Sequence, residues 1–272
     1  MQKLVDEQWA LLAPLFEKSL VKTTKRGRPR VPDRPVLDGI LWILKTGAQW
    51  NELPDKYPPY QTCHRRFQEW VRSGVLAELL RVLAQDMEAR GGISLEECFI
   101  DGTFSSAKKG ALVFGKTKRG KGTKLMVICD RESLPVSVVV ESASPHEVTL
   151  VERTLAQRLT KQAPVHLVAD RAYDSDPHDK LVKERFNTEL IAPHRKGRVR
   201  AKTQDGRKLR RYRRRWKIER LNAWLQNYRR LITRFDYKLA NFVGFVHLAC
   251  MLILLEAFLR WVVAISLNIP AK

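Results

Sequence analysis

The sequence KLRRYRRRWKIERLNAWLQNYRRL, residues 208–231, predicts a helix with two chemically different faces. At about 100° per residue, apolar side chains gather on one side with the spacing of a buried stripe, which continues one residue past the stretch to Ile232: Ile218, Leu221, Trp224, Leu225, Tyr228 and Ile232. Tyr212, Arg215 and Glu219 fall together on the opposite side. Ten of these 24 residues are Lys or Arg, and Glu219 is the only acid. Glu219 could simply pair with Arg215 or Arg220, so a catalytic role for it requires other carboxylates that reach the same place.

The charge of the chain favours a polyanionic partner. Of its 272 residues, 50 are Lys or Arg and 29 are Asp or Glu, which gives a formal net charge of +21. Such an excess indicates nucleic acid, and a membrane surface is the lesser alternative. Hydrophobic residues make up 44% of the chain. That content supports a substantial core in one large domain or two modest ones.

Several features predict a cytoplasmic protein that does not associate with a membrane. The cysteines are far apart and lack CxxC spacing, so we expect them to be reduced: Cys63, Cys98, Cys129 and Cys250. The N-terminal residues do not show the pattern of a secretory signal. The most apolar segment, residues 242–267, is interrupted by Glu256 and Arg260. We therefore expect a buried C-terminal helix there rather than a membrane span.

Residues 1–92 are predicted to form a helical DNA-binding domain of helix-turn-helix type. Apolar side chains recur at helical spacing over residues 6–16, 35–46, 60–72 and 76–88. Polar side chains on the third of these helices face outward and suit contacts in the major groove: Gln61, His64, Arg65 and Gln68. The alternative is that these residues form an ordinary solvated face.

A basic arm, residues 22–32, joins the first two predicted helices. Arg26, Arg28 and Arg30 alternate there with Gly27 and Pro29. The arrangement resembles the AT-hook, in which an extended Arg-Gly-Arg-Pro segment lies in a narrow minor groove whose negative potential attracts arginine. The alternative is an ordinary basic linker.

Residues 93–272 are predicted to form a second, catalytic domain that includes the C-terminal helices. Short apolar runs predict strands over residues 97–100, 125–129, 136–140, 165–169 and 189–192. One helix is predicted to start at Ser144, with a capping box completed by Glu147, and to end near Thr160. Another is predicted from Ser175 to Phe186. Three strands followed by alternating helices and strands predict an α/β fold, a mixed sheet flanked by helices in the element order of an RNase H-like domain.

Asp101 and Asp170 each follow the end of a predicted strand. Neighbouring strands lie about 5 Å apart, so two such carboxylates could share a metal site that Glu219 completes. Oxygen ligands suit Mg²⁺ or Mn²⁺, and two such ions can drive in-line displacement at phosphorus. A strand-end Asp more often caps the backbone, however, and other acids compete: Asp130, Glu141, Asp174, Asp176 and Asp179. Spacing alone does not choose among them.

A set of short motifs follows in order along most of the chain. They are Gly-Arg-Pro-Arg at 27–30, Asp-Gly-Ile-Leu-Trp-Ile-Leu-Lys-Thr-Gly-Ala-Gln-Trp at 38–50, Phe-Ile-Asp-Gly-Thr at 99–103, Ser-Pro-His-Glu at 144–147, Ala-Asp-Arg-Ala-Tyr-Asp at 169–174 and Tyr-x-x-Arg-x-x-x-Glu at 212–219. Together they resemble those of DDE transposases of the insertion sequence five family, in the insertion sequence four/five superfamily. The resemblance implies an RNase H-like fold in which a carboxylate triad binds two Mg²⁺ ions.

By the same resemblance, Asp101, Asp170 and Glu219 are the catalytic residues and metal ligands. Tyr212 and Arg215 are expected to contact or orient DNA near the cleaved phosphate. The chain departs from the superfamily at one position, because Gln226 stands where many members carry Lys seven residues after the Glu. Arg229 or Arg230 could take over that role.

The resulting hypothesis is a bacterial, cytoplasmic transposase, associated with the nucleoid when it is bound to DNA. It would bind terminal inverted repeats, cleave the element ends and join the 3′-hydroxyls to target DNA. Because two ends must be held at once, we expect a homodimer on double-stranded DNA. Two alternatives stay open at this point: a non-catalytic DNA-binding regulator, and an RNase H-type nuclease or junction resolvase.

Overall fold

Residues 4–18, 29–108, 114–118, 120–199, 201–203 and 206–266 are described in the computed structural model of the chain. The N-terminal part contains helices α1 (Asp6–Lys18), α2 (Asp33–Thr46), α3 (Tyr60–Ser73) and α4 (Val75–Ala89). Each begins and ends within two residues of its prediction, because each has a strong apolar stripe. Residues 47–59 connect α2 to α3 and include a short 3-10 turn at Trp50–Glu52. This connection is longer than the three- or four-residue turn of a compact helix-turn-helix motif.

A mixed sheet forms the centre of the chain. Its long strands β1 (Glu97–Ala107), β3 (Gly120–Cys129) and β4 (Pro135–Ser142) pair as an antiparallel meander. The short strands β5 (His166–Val168) and β6 (Glu189–Ile191) extend the sheet in parallel on the other side of β1. Two minor strands, β2 (Gly115–Thr117) and β7 (Thr233–Arg234), pair with β3 and β1 respectively. The order β4–β3–β1–β5–β6 is the mixed sheet expected of an RNase H-like domain.

Helices cover this sheet. Helix α5 (Glu147–Ala156) packs on β3 and β4, α6 (Asp176–Phe186) on β6, and α8 (Trp216–Gln226) on β1 and β3. Helix α5 differs from the prediction at both ends. It begins at Glu147 with His146 at its N-cap and no side-chain cap bond, so the predicted Ser144–Glu147 capping box is wrong. It ends at Ala156 because the chain then turns to bond Leu159 N to Val136 O on β4.

The strand that carries Asp101 is longer than predicted. β1 continues past Ile100 to Ala107, and Asp101 lies within it, opposite Val127 of β3. Backbone pairing with β3 extends as far as Ser106, so the polar second half of β1 is held by hydrogen bonds rather than by burial. The prediction that the strand ends before Asp101 is therefore wrong.

The predicted single helix over residues 208–231 is also wrong, because the structure divides that stretch. It contains α7 (Gly206–Leu209), a 3-10 turn (Arg210–Arg214), α8 and α9 (Arg229–Ile232). The 3-10 turn allows Arg214 to form two hydrogen bonds, 2.6 and 2.5 Å long, with Glu97, a buried carboxylate at the start of β1. Within α8 the predicted stripe is present, with Ile218, Leu221 and Leu225 buried; Ile232, which lies past the break, is exposed.

The C-terminal helix α10 (Leu239–Ser266) packs against α3, α4 and β4. Its segment Leu239–Val263 is long and apolar enough to span a membrane, with a mean hydropathy of 2.3. Within the folded chain, however, 72% of the most apolar part of this segment is buried. The rings of Phe245 and Phe67 on α3 stack with centroids 4.4 Å apart. The segment therefore serves as a core helix in this structure. The four cysteines are buried and form no disulfide, as predicted.

Candidate active site

The register of two parallel strands places Asp101 beside Asp170. Phe99 of β1 pairs with Val168 of β5, and each aspartate lies two residues further along its chain. One carboxylate oxygen of Asp101 lies 3.9 Å from Arg215 Nη2, and one of Asp170 lies 4.0 Å from the same nitrogen. The other oxygen of Asp170 accepts a hydrogen bond from Ala172 N at 2.7 Å. Asp170 therefore caps the following turn, as the strand-end alternative anticipated, and also faces the neighbouring aspartate.

Glu219 meets this pair through the same arginine. Arg215 Nη1 donates to Glu219 Oε1 at 3.1 Å, one helical turn away. The three predicted acids thus surround one guanidinium group, although they come from β1, from the end of β5 and from α8. Glu219 sits at the rim, with its side chain 65% exposed, whereas that of Arg215 is 16% exposed. In the part of the chain that the structure describes, no three acidic, His or Cys side chains are close enough together to hold one ion.

The electrostatics of the site favour an additional cation. The pKa of Asp101 is raised to about 6, mainly by burial; Arg215 opposes this rise, and the charges of Glu147 and Asp170 add to it. Asn222 of α8 donates to Asp101 Oδ2 at 3.4 Å, while its own buried Oδ1 accepts no hydrogen bond from the described residues. An all-oxygen donor set with surplus negative charge suits Mg²⁺ or Mn²⁺. The donor chemistry of these residues therefore fits a divalent cation.

Sequence reasoning missed a fourth carboxylate, that of Glu147. The hydroxyl of Tyr173 donates to Glu147 Oε2 at 3.1 Å, and Lys124 Nζ lies 3.5 Å from Glu147 Oε1. Glu147, Lys124, Asp101 and Asp170 line one cavity of about 440 Å³. The signal was present in the Ser-Pro-His-Glu motif, but it matched a local capping pattern and was interpreted as one.

Four of the competing acids have other partners. Asp130 holds a turn by accepting hydrogen bonds from Leu134 N at 2.8 Å and Glu132 N at 2.9 Å. Glu141 pairs with Arg153, and Asp174 and Asp176 pair with Arg198. Burial and the neighbouring aspartates raise the pKa of Asp179 to about 7. The contacts of Asp130, Glu141, Asp174 and Asp176 give each of these acids a structural role.

The residues predicted to contact DNA differ in how exposed their side chains are. Gln61 and Arg65 are exposed on α3. His64 and Gln68 are half-buried; their side chains lie 3.2 Å apart, and the His64 ring packs on Trp50 at 4.7 Å.

Among the remaining predicted contacts, Arg30 donates to Glu69 at 3.0 Å. Tyr212 is exposed one turn before Arg215. Arg26 and Arg28 lie outside the described residues. All these DNA contacts remain predictions.

Of the two residues considered as substitutes for the superfamily Lys, Arg230 is buried. It donates to Ala48 O at 3.2 Å and to Asp236 at 3.2 Å, which ties it to the junction between α2 and α9. Gln226 and Arg229 are exposed. Arg230 is therefore unsuited to contact DNA.

Two family models match the chain. A family model described as "Putative transposase of IS4/5 family (DUF4096)" matches residues 4–80, and one described as "Transposase DDE domain" matches residues 94–255. The chain is 33% identical over 118 residues to "Uncharacterized protein y4sN" of Sinorhizobium fredii, a match that covers 43% of this chain and 87% of that protein.

Two proteins of Burkholderia cepacia are also similar. The "Insertion element IS402 uncharacterized 16.2 kDa protein" is 32% identical over 115 residues, covering 41% of this chain and 78% of that protein. The "Putative transposase for insertion sequence element IS402" is 31% identical over 140 residues, covering 48% of this chain and 62% of that protein. Because the DDE-domain match spans more than half of the sequence, the chain belongs to the DDE transposases, enzymes that cleave and transfer DNA, and its N-terminal match is to the IS4/5 family among them.

Proposed function

We propose that the chain binds the terminal inverted repeats of an insertion sequence, cleaves the element ends and joins the freed 3′-hydroxyls to target DNA. The observation that carries this proposal is the meeting of Asp101, Asp170 and Glu219 around the guanidinium of Arg215. Hydrolysis would break the P–O3′ bond at the element end. The 3′-hydroxyl released would then attack a target phosphorus and displace its 3′-oxygen.

Each acid has a role in this scheme. Asp101, Asp170 and Glu219 would hold two divalent cations, Mg²⁺ or Mn²⁺, which would supply activation of the attacking oxygen and stabilisation of the leaving oxygen. Arg215 neutralises the acids until then and is placed to pair with a phosphate oxygen of the bound DNA. Asn222 holds Asp101 in its orientation through their 3.4 Å contact. Tyr212, exposed one turn before Arg215, would lie against the DNA at the edge of the site.

Recognition of the element ends would fall to the N-terminal helices. Gln61 and Arg65 are exposed on α3, and the basic arm, residues 22–32, precedes α2 in the sequence. The formal charge of +21 supplies the long-range attraction for duplex DNA. Two ends must be cut and joined together, so the active assembly would be a homodimer on DNA. It would act in the cytoplasm, on the nucleoid.

The test is Asp101→Asn, which keeps the shape of the side chain and removes its charge. The variant should bind a DNA fragment carrying the element ends as the unaltered chain does, and lose Mg²⁺-dependent nicking by more than about 100-fold, the upper end of what removing an outer-shell partner costs. Glu132→Gln, which changes an acid with a 59% exposed side chain, is the matched control and should nick normally.

Three outcomes would overturn parts of the proposal. Normal nicking by Asp101→Asn would refute the assignment of the carboxylates. Repeat binding by the unaltered chain with no metal-dependent nicking would indicate a DNA-binding regulator. Nicking without joining of a pre-cleaved 3′-end to target DNA would indicate a nuclease or resolvase.

A further inference from the structure

Lys124 places an ammonium group in the cleft beside the acids. It lies on β3, opposite Phe104 of β1, and its side chain is only 14% exposed. Its Nζ donates to Pro145 O at 2.8 Å and lies 3.5 Å from Glu147 Oε1. Lysine is seldom buried to this extent without a charged partner. The Lys124 ammonium is therefore held in place by its contacts with Pro145 and Glu147.

Glu147 is itself held from more than one side. The ring of Tyr173 is fully buried, and its hydroxyl bonds one carboxylate oxygen, which leaves the other oxygen towards Lys124. Gly102 leaves space for the Glu147 carboxylate, because a Cβ at position 102 would come within 2.7 Å of both Cδ and Oε1 of Glu147. Glu147 is also the first residue of α5, where the helix dipole favours a negative charge.

The ammonium lies where two cavities meet. Lys124, Glu147 and Asp170 line both the cavity of about 440 Å³ that contains Asp101 and a second one of about 690 Å³ that reaches His146 and Arg195. A strand entering from the second cavity towards the acids would pass the ammonium. A fixed cation beside the acids would offset their repulsion of the phosphate oxygens, as preorganised lysines and arginines do in phosphoryl transfer.

We infer that Lys124 binds a non-bridging phosphate oxygen of the DNA strand in the cleft, and that Glu147, anchored by Tyr173, is a positioning residue for that lysine. This inference rests on the proposed function and names the side chains that hold the phosphate in the same site. Element end and target DNA offer the same phosphate chemistry, so the experiment treats them separately.

The first measurement is the salt dependence of DNA binding, which does not depend on activity. Lys124→Gln should reduce the slope of log Kobs against log[salt] by about 0.9, the change expected for one phosphate contact. Lys124→Arg keeps the charge and should keep the slope. Lys180→Gln, an exposed lysine on α6, is the control for overall charge and should also keep it. Measuring an uncleaved element end and a target duplex in turn identifies the DNA that the lysine contacts.

The second measurement separates positioning from other roles of Glu147. Lys124→Gln and Glu147→Gln should each lower the kcat of nicking about 100-fold, the effect of losing one preorganised donor. Glu147→Gln should leave the salt slope unchanged, because the lysine charge remains. Once Lys124 is replaced, replacing Glu147 as well should add less than a further threefold loss, since coupled residues are not additive.

The outcomes distinguish this inference from the proposed function. If Asp101→Asn abolishes nicking while Lys124→Gln changes neither slope nor kcat on either DNA, the inference fails and the proposed function stands. If Glu147→Gln weakens Mn²⁺ binding in the absence of DNA as strongly as Asp101→Asn does, Glu147 acts on the cation and its positioning role is wrong. If Lys124→Gln proves unfolded by circular dichroism, Glu147→Gln alone decides, since unaltered kcat there contradicts the inference.

Discussion

Replacing Arg215 with Gln should tighten the binding of a divalent cation in the absence of DNA. The guanidinium occupies the space between the acids, 3.9 Å from Asp101, 4.0 Å from Asp170 and 3.1 Å from Glu219. A cation that enters must either displace it or bind beside a like charge. Removing the positive charge of Arg215 therefore removes a competitor of the divalent cation for the three acids.

The magnitude follows from these distances. Two unit charges 4 Å apart interact by about 4 kcal/mol at an effective dielectric constant of 20. The contact with Glu219 counts for less, about 1 kcal/mol at most, because that carboxylate is 65% exposed and screened by solvent. Part of the remainder is lost to solvent screening, because the side chains of Asp101 and Asp170 are 19% and 33% exposed. We expect a net gain of about 1.4 to 3 kcal/mol, which is about ten- to a hundredfold tighter binding.

The assay is calorimetric titration of Mn²⁺ into the DNA-free chain at fixed ionic strength. Arg220→Gln is the matched control, because it removes the same charge from α8, the helix that Arg215 directly precedes. The Arg220 guanidinium lies 5.1 Å from the ring centroids of both Trp216 and Trp224. Arg215→Gln should also nick DNA more slowly despite its tighter cation, since the arginine would no longer meet the phosphate. Mn²⁺ affinity equal to or below that of Arg220→Gln would refute the reasoning.

Two further predictions concern stability. Burial raises the pKa of Asp130 from 3.8 to about 6, so the folded chain binds the proton of this carboxyl more tightly than the unfolded chain does. The contribution of Asp130 to the free energy of unfolding should therefore fall by up to about 3 kcal/mol as the pH rises from about 4 to 6. Asp130→Asn should lack this loss, and urea unfolding across that range would show it; a constant difference between variant and unaltered chain would contradict it. At Gly244 a Cβ would lie 2.5 Å from Val71 Cγ2, so Gly244→Ala should destabilise by about 1 to 2 kcal/mol, the strain of overpacking less the gain in helix propensity. Gly206→Ala, where the new methyl has open space, is the control and is measured by the same thermal melt. Equal stability of the two variants would contradict the prediction that the close α3–α10 contact makes Gly244→Ala destabilising.

The helices were predictable where one periodic stripe decides burial. α1 to α4 have such stripes, and so does α8, whose Ile218, Leu221 and Leu225 are buried as the spacing indicated. The break before α8 was not predictable in this way. It coincides with a 3-10 turn in which Arg214 pairs with Glu97, more than a hundred residues earlier. Hydrophobic periodicity contains no information about that ion pair.

The length of β1 and the role of Glu147 were missed for a related reason. Residues 101–107 are too polar to be predicted as a strand. Backbone pairing with β3, and with β7 at Ser106 and Ala107, holds them in one. Ser144 and Glu147 satisfy the spacing of a capping box, but Tyr173 and Lys124 offer the carboxylate better partners. In both cases a contact distant in sequence overrode a local preference, which is the usual way that such predictions fail.

Glu219 shows that a structural and a catalytic interpretation of the same residue need not exclude each other. Pairing with Arg215 was the simple structural alternative to a catalytic role, and the structure contains that pair. Yet the same guanidinium also lies within 4.0 Å of Asp101 and Asp170, so the pair is what holds Glu219 near the other acids. The parallel register of β1 and β5 fixes the two aspartates, whereas Glu219, on a helix and largely exposed, is free to change partner. A cation that displaces Arg215 would therefore draw Glu219 inward, and the arginine would then be available for DNA.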